Sequence, residues 1–173
     1  MPLTPDRLNR IVKASKYDLL TWREGVSLEL EAGKSVEQLA ILGAAERWRL
    51  ARSFKQTADY LMHARTRTPR YRSAISRYYY CMYQAMRAAV YIAHGGDDHE
   101  EHSKLPSHVP TDFPEQDWQT RLKDARLVRN DADYDPYPVA NRDWAKRAKT
   151  MKNEAEILLR LTRAYLNGKG CAL

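Results

Sequence analysis

The sequence predicts an all-α protein, an antiparallel helical bundle of four main helices plus an N-terminal helical extension. Three observations predict it. Apolar residues recur every three or four positions along most of the chain, and no segment keeps the alternation of a half-buried strand. Only 7 glycines and 8 prolines occur in 173 residues, and most prolines gather near 106–114 and 136–138, which leaves room for long unbroken helices. A composition of 43% hydrophobic and 29% charged residues belongs to a globular chain able to bury a substantial core.

Residues 3–22 form a first amphipathic segment in which Thr4 can cap, Pro5 suits the first turn, and Leu8, Ile11, Val12 and Leu19 share a rough face. Gly25 and Gly33 punctuate the stretch after it. Ser35 opens the next helix with Gln38 placed for a capping box, and Trp48, Ala51, Phe54, Ala58 and Leu61 carry it to about Ala64. The stretch "TRTPR", 66–70, reads as a turn in which Pro69 starts a helix over about 70–94 that stops at Gly95-Gly96. A polar loop with several prolines runs to Pro114. A shorter helix spans Glu115 to about Ala132 through Trp118, Leu122 and Ala125. The turn "DYDPYP" separates it from a last helix over about 141–167, with Trp144, Ala148, Met151, Ala155, Leu158 and Tyr165 on one face and Gly168 at its end. The predicted organisation is an N-terminal extension (1–39), a bundle (40–168) and a short tail (169–173).

Charge and cysteine usage bound the function. A formal charge of +7 favours an acidic partner, nucleic acid first and an acidic protein surface second. Cys81 and Cys171 are too few for a disulfide framework, so the expectation is a reduced, cytoplasmic protein, with Cys81 a small core residue and Cys171 in a frayed tail. No apolar run approaches membrane-spanning length, and the start is charged too early for a signal peptide. The run "HGGDDHEEH", 94–102, contains His94, His99 and His102 but lacks a familiar ligand spacing, so neither a metal nor another cofactor is expected. The basic run "RWRLARSFK", with Arg65, Arg67, Arg70 and Arg72, is either an electropositive flank or a solvated helix face.

The stretch "ARLVRNDADYDPYP", 125–138, holds the central ambiguity. Arg129 can hold a phosphate, or it can pair with Asp133, its neighbour one helical turn on. Tyr134 stands five residues after Arg129, which on a continuous helix points it roughly 140° away. The two therefore converge only if the helix breaks or a second copy supplies one of them. Tyr78, Tyr79, Tyr80 and Tyr83 can stack on bases, but their scatter around a helix favours core packing with hydroxyls at the edge.

Three stretches resemble a known family. The segment "SAISRYYYCMYQAMRAAV", 73–90, resembles the signature helix of HEPN domains, the small bundles named for higher-eukaryote and prokaryote nucleotide binding. Ser76, Arg77, Tyr79, Tyr80, Met82, Tyr83, Ala85, Arg87 and Ala88 fall on the pattern of its short, stand-alone prokaryotic branch, with Cys81 in place of an alanine. "HSKLPSHV", 102–109, is similar to that branch's histidine-serine loop, and "RNDADYDPY", 129–137, to its arginine-x-x-alanine-aspartate-tyrosine element. The resemblance covers roughly 40–167.

The resemblance implies a homodimer acting on RNA or a nucleotide, within a toxin–antitoxin or defence module. RNA-cleaving members use an arginine, a polar neighbour and a histidine a few positions on, without metal. The 2′-hydroxyl attacks the adjacent phosphate, the arginine holds the phosphate charge, and the histidine moves protons. Arg129 matches the arginine and Asn130 the polar neighbour, while Tyr134 stands where the histidine belongs. A phenol with a reference pKa of about 10 is a poor proton shuttle at neutral pH, though it can hydrogen-bond a phosphate or stack on a base. His102 or His108 can substitute if their loop folds over Arg129. Arg77, Arg87 and Arg126 are the candidate nucleic-acid contacts. The other implied reading is a non-catalytic nucleotide- or RNA-binding module that partners a nucleotidyltransferase or an antitoxin protein.

Overall fold

The computed structural model describes residues 4–63, 70–115, 117–136 and 140–173. The predicted turn at 66–69, Arg65 and Arg67, the Leu8 side chain, and Tyr137 and Pro138 lie outside the described residues. Among the described residues there is no strand. The helices are α1 (Pro5–Lys13), α2 (Lys16–Ala32), α3 (Val36–His63), α4 (Tyr71–His94), α5 (Trp118–Tyr134) and α6 (Asn141–Gly168), with a short 3-10 turn at Leu105–His108. None is long and apolar enough to cross a membrane. The chain divides into two compact units, Met1–Ala40 and Ile41–Leu173.

In the first unit the single segment expected over 3–22 is two helices. Ala14 and Ser15 are both extended, and Ser15 starts α2 through a capping box: Asp18 N–H donates to Ser15 Oγ at 3.1 Å and Ser15 N–H donates to the Asp18 carboxylate at 3.1 Å. Thr4 makes no such bond. Gly25 lies inside α2 rather than ending it, and the helix stops at Gly33, whose φ of 60° is left-handed. No α2 side chain is buried, and Leu19, Leu20, Trp22, Val26, Leu28 and Leu30 are exposed.

α3 opens within the first unit with the expected box, Gln38 N–H to Ser35 Oγ at 3.3 Å and Ser35 N–H to the Gln38 side chain at 3.0 Å. The second unit, from Ile41 on, is the bundle. Successive helices run antiparallel, as their cross-pairs show. Tyr78 donates to Asp59 and Phe54 stacks on Tyr80 between α3 and α4; Arg72 reaches Ala132 and Arg129 reaches Tyr80 between α4 and α5; Arg121 pairs with Glu154 and Arg147 with Asp131 between α5 and α6. α4 is buried on most of its circumference and packs on both α5 and α6. Its Ala74, Ala85, Ala88 and Ala89, together with Cys81, let neighbouring backbones come close, while Ile75, Met82, Met86 and Val90 fill the space between.

One helix limit and the C-terminal tail differ from expectation for local reasons. α5 begins at Trp118 rather than Glu115, because Glu115 holds a left-handed φ of 62° that no right-handed helix accommodates. The end of the chain is not frayed: Cys171 is buried, its N–H bonds Leu166 O at 3.0 Å, and Arg163 donates to the Leu173 carbonyl at 2.9 Å. α4 stops where predicted, at Gly95, whose φ of 73° lets its N–H close on Tyr91 O at 3.0 Å.

Candidate functional site

The last turn of α5 is built from α4. A helix C-terminus leaves carbonyls without partners and carries partial negative charge. Arg72 answers both needs, donating to Ala132 O at 2.6 Å and Asp135 O at 2.7 Å while its guanidinium lies over the Trp144 ring. One turn along α4, Ser76 Oγ donates to Asp133 at 3.3 Å. One further turn along, the Tyr80 hydroxyl accepts from Arg129 Nη2 at 3.1 Å. The serine and third tyrosine of the "SRYYY" stretch, Ser76 and Tyr80, thus hold Asp133 and Arg129 of "RNDADY".

Arg129 is neither free nor sealed. Its Nε lies 2.7 Å from the Asp133 carboxylate, with side chains 18% and 24% exposed, so the i,i+4 pair weighed from sequence is present. The contact is Coulombic rather than a directed hydrogen bond, because the Nε–H has no acceptor in line. Nη1 donates to Asn130 Oδ1 at 3.1 Å. The guanidinium also stands 5.5 Å from the Tyr80 ring centre and 5.3 Å from that of Tyr134. Arg129 and Tyr134 therefore meet although α5 is continuous through both, contrary to the angular argument. The long arginine side chain spans the angle that separates their Cα–Cβ bonds. Burial alone would lower the Arg129 pKa, but the Asp133 charge together with the Tyr80 and Tyr134 phenols outweighs it, and the pKa stands above its usual value. Tyr134 is 70% exposed.

A loop folds over the same region. Asp97 accepts from Arg87 Nε at 2.9 Å and pairs with Arg47 at 2.6 Å, and Tyr83 donates to the Glu100 carbonyl. Burial would raise the Asp97 carboxyl, but the Arg87 hydrogen bond and the two guanidinium charges hold it below the usual carboxylate range. Clamped this way, the loop lays His102 onto α4. The imidazole stacks on Tyr83 with ring centres 4.0 Å apart and on Tyr79 at 5.6 Å, and it meets the Tyr80 ring edge-on at 5.8 Å. Its Nδ1 is 2.8 Å from the Tyr79 hydroxyl. Partial burial, then the charges of Arg129, Arg126 and Arg87, push its pKa below the ordinary histidine value. Burial drives Tyr79 upward, so that phenol keeps its proton.

The other candidates separate. Arg77 is exposed, with its guanidinium 5.8 Å from the Phe54 ring. Arg87 is committed to Asp97 and Glu100. Arg126 lies one turn before Arg129 on α5, makes no ion pair among the described residues, and has a buried Nε without a partner. Tyr78, Tyr79 and Tyr83 are buried and Tyr80 is half-buried, with hydroxyls hydrogen-bonded at the edge of the core. His108 lies away from Arg129's neighbours, stacked on His99 at 3.5 Å with His94 beside them. Among the described residues no group of His, Cys, Asp or Glu is arranged to hold a metal ion. Burial pushes the Cys81 thiol up to about 12, which removes it as a nucleophile.

A family model, the HEPN domain, matches residues 44–167. The chain belongs to the HEPN-domain family. No curated protein and no solved structure matches it. HEPN domains are nucleotide- and RNA-related modules that commonly dimerise and bind RNA. In this HEPN protein the elements that carried the resemblance are physically interlocked, α4 holding α5 through Ser76 and Tyr80. What the sequence left open is the loop. Its attachment depends on Asp97 meeting an arginine 10 residues earlier and another 50 earlier, pairings that leave no periodic trace.

Proposed function

We propose that this HEPN protein is a cytoplasmic homodimer of a prokaryotic toxin–antitoxin or defence module, and that it cleaves RNA without a metal. Arg129 holds the scissile phosphate, Asn130 orients that guanidinium, and Tyr134 packs against the RNA where other members carry histidine. Arg77 and Arg126 add charge along the nucleic-acid path, and Arg87 acts behind them by fixing the loop.

The observation that carries this reading is the state of the Arg129 guanidinium. It is partly open, and its terminal nitrogens donate to neutral oxygens, those of Asn130 and Tyr80. A phosphate dianion or diester offers charge-assisted bonds roughly twice as strong as neutral ones, so it displaces such partners readily. The net charge of +7 and the unpaired Arg126 support an anionic ligand.

The test is incubation of the purified protein with end-labelled single-stranded RNA in EDTA. Fragments ending in a 2′,3′-cyclic phosphate are the expected result. Tight binding without fragments would instead favour a non-catalytic module that partners a nucleotidyltransferase or antitoxin, a reading that the exposed Tyr134 in the histidine's place also fits. Under either reading Tyr134→Ala is expected to weaken RNA binding about tenfold, the loss of one base-stacking surface, measured by fluorescence anisotropy.

A further inference from the structure

We infer that His102, carried in by the clamped loop, is the proton-transferring residue of this site and does the work of the histidine that position 134 lacks. The inference rests on the RNA-cleaving reading and adds the catalytic base to it.

Geometry supplies the first argument. His102 and Arg129 both contact one phenol: Arg129 donates to the Tyr80 hydroxyl, and His102 meets the Tyr80 ring edge-on at 5.8 Å. An imidazole and a phosphate-holding guanidinium on one tyrosine are close enough to serve one substrate. His102 is half-buried, so it is held in place yet still reachable.

Chemistry supplies the second. Nδ1 is engaged by the Tyr79 hydroxyl, which can donate to it or accept from it. With the ring proton on Nδ1 and directed at Tyr79, Nε2 is a free base. It takes the proton from the RNA 2′-hydroxyl as the O2′–P bond forms and the P–O5′ bond breaks. The departing 5′ oxygen takes a proton from water, and the imidazolium releases its own to solvent, so the ring returns to its starting form. No oxidant, reductant or metal enters the step.

The surroundings keep the ring in the form this step needs. Arg126 and Arg129 face it from α5, and Arg87, Tyr79, Tyr80 and Tyr83 from α4. The carboxylate of Asp97 is taken up by Arg87 and Arg47, and Glu100 meets Arg87, so those acids are committed elsewhere. Partial burial first, and the positive balance second, disfavour imidazolium and keep His102 neutral at pH 7. The ribonuclease rate should therefore rise with pH to a plateau, with its inflection below the ordinary histidine value of about 6.5, and fall as acid protonates Nε2.

The experiment uses the full chain and end-labelled RNA in EDTA. His102→Gln, which can keep a hydrogen bond to Tyr79, and His102→Ala are each expected to slow cleavage about 10²- to 10⁴-fold while RNA binding stays within about twofold. Added imidazole should restore part of the rate to His102→Ala, a rescue that a purely structural role would not give. In the rescued variant the parent's acid limb should give way to one set by the ionisation of the added imidazole. If His102→Gln cuts as fast as the parent, or imidazole leaves the alanine variant slow with the acid limb intact, the assignment to His102 is overturned and the cleavage reading stands. If the parent yields no cyclic-phosphate fragments, the cleavage reading falls and takes this one with it.

Discussion

Replacing Arg129 with alanine is expected to lower single-turnover RNA cleavage about 10²- to 10³-fold, the usual loss on removal of one preorganised donor to a developing oxyanion. The fold should survive. The side chain's charged partner, Asp133, lies on the same helix and keeps its bond from Ser76, so the lost pair contributes about 1 kcal/mol or less. Unchanged thermal melting beside lost cleavage would separate chemistry from stability. Arg129→Lys sharpens the test, since an ammonium keeps the charge but cannot address two phosphate oxygens with one planar fork. A lysine variant as active as the parent would mean that charge alone suffices. An alanine variant as active as the parent would place the chemistry elsewhere on the bundle.

The largest effect on stability is expected at Trp118. Its side chain is 0% exposed at the first turn of α5, and the Arg121 guanidinium lies 3.7 Å from the ring centre. Trp118→Ala should cost about 3–5 kcal/mol in urea-unfolding experiments, because the removed indole leaves a cavity that the bundle cannot fully close. Set against the usual 5–15 kcal/mol of a whole domain, that is a large fraction. Trp118→Phe should cost much less. It keeps most of the apolar volume and deletes an indole N–H that has no partner among the described residues. Since α5 carries Arg126, Arg129 and Tyr134, the alanine variant should also lose RNA affinity near its melting temperature, and the phenylalanine variant should not.

Much of the fold was legible because it is local. The Ser35–Gln38 box and the Gly95 stop set the start of α3 and the end of α4, each through chemistry within a few residues. The break at Ala14-Ser15 was equally local. Ser15 and Asp18 form a serine-x-x-acid box that the sequence shows, but a longer apolar pattern over 3–22 concealed it. The left-handed turn at Glu115 had no such signal, since nothing in that residue type asks for a positive φ.

The candidate site divides along the same line. Arg129, Asn130 and Asp133 sit within two turns of one helix, and the Arg129–Asp133 pair could be read from spacing, whereas the approach of Arg129 to Tyr134 depends on the reach of a long side chain that spacing does not show. The meeting of His102 with Tyr79, Tyr80 and Tyr83 could be raised from sequence but not decided. It requires the loop's backbone to be fixed by Tyr83 on Glu100 and by two arginines on Asp97, and only the folded bundle brings those groups together. Arg87, a candidate nucleic-acid contact by its sequence, pairs within the protein with Asp97 and Glu100.

The absence of any buried side chain along α2 has a thermodynamic meaning. A helix without a buried side chain is held by its own backbone bonds, its Ser15 box, its Ser27–Glu31 contact and the Val36 N–H bond to Glu29, which brings it towards the regime of helix–coil equilibria rather than all-or-none unfolding. Its 17 residues are only slightly longer than the length at which isolated helices become marginal in water, so its order fades gradually on warming. One polypeptide therefore joins a cooperative solid to a segment whose helicity is a continuous function of temperature and solvent.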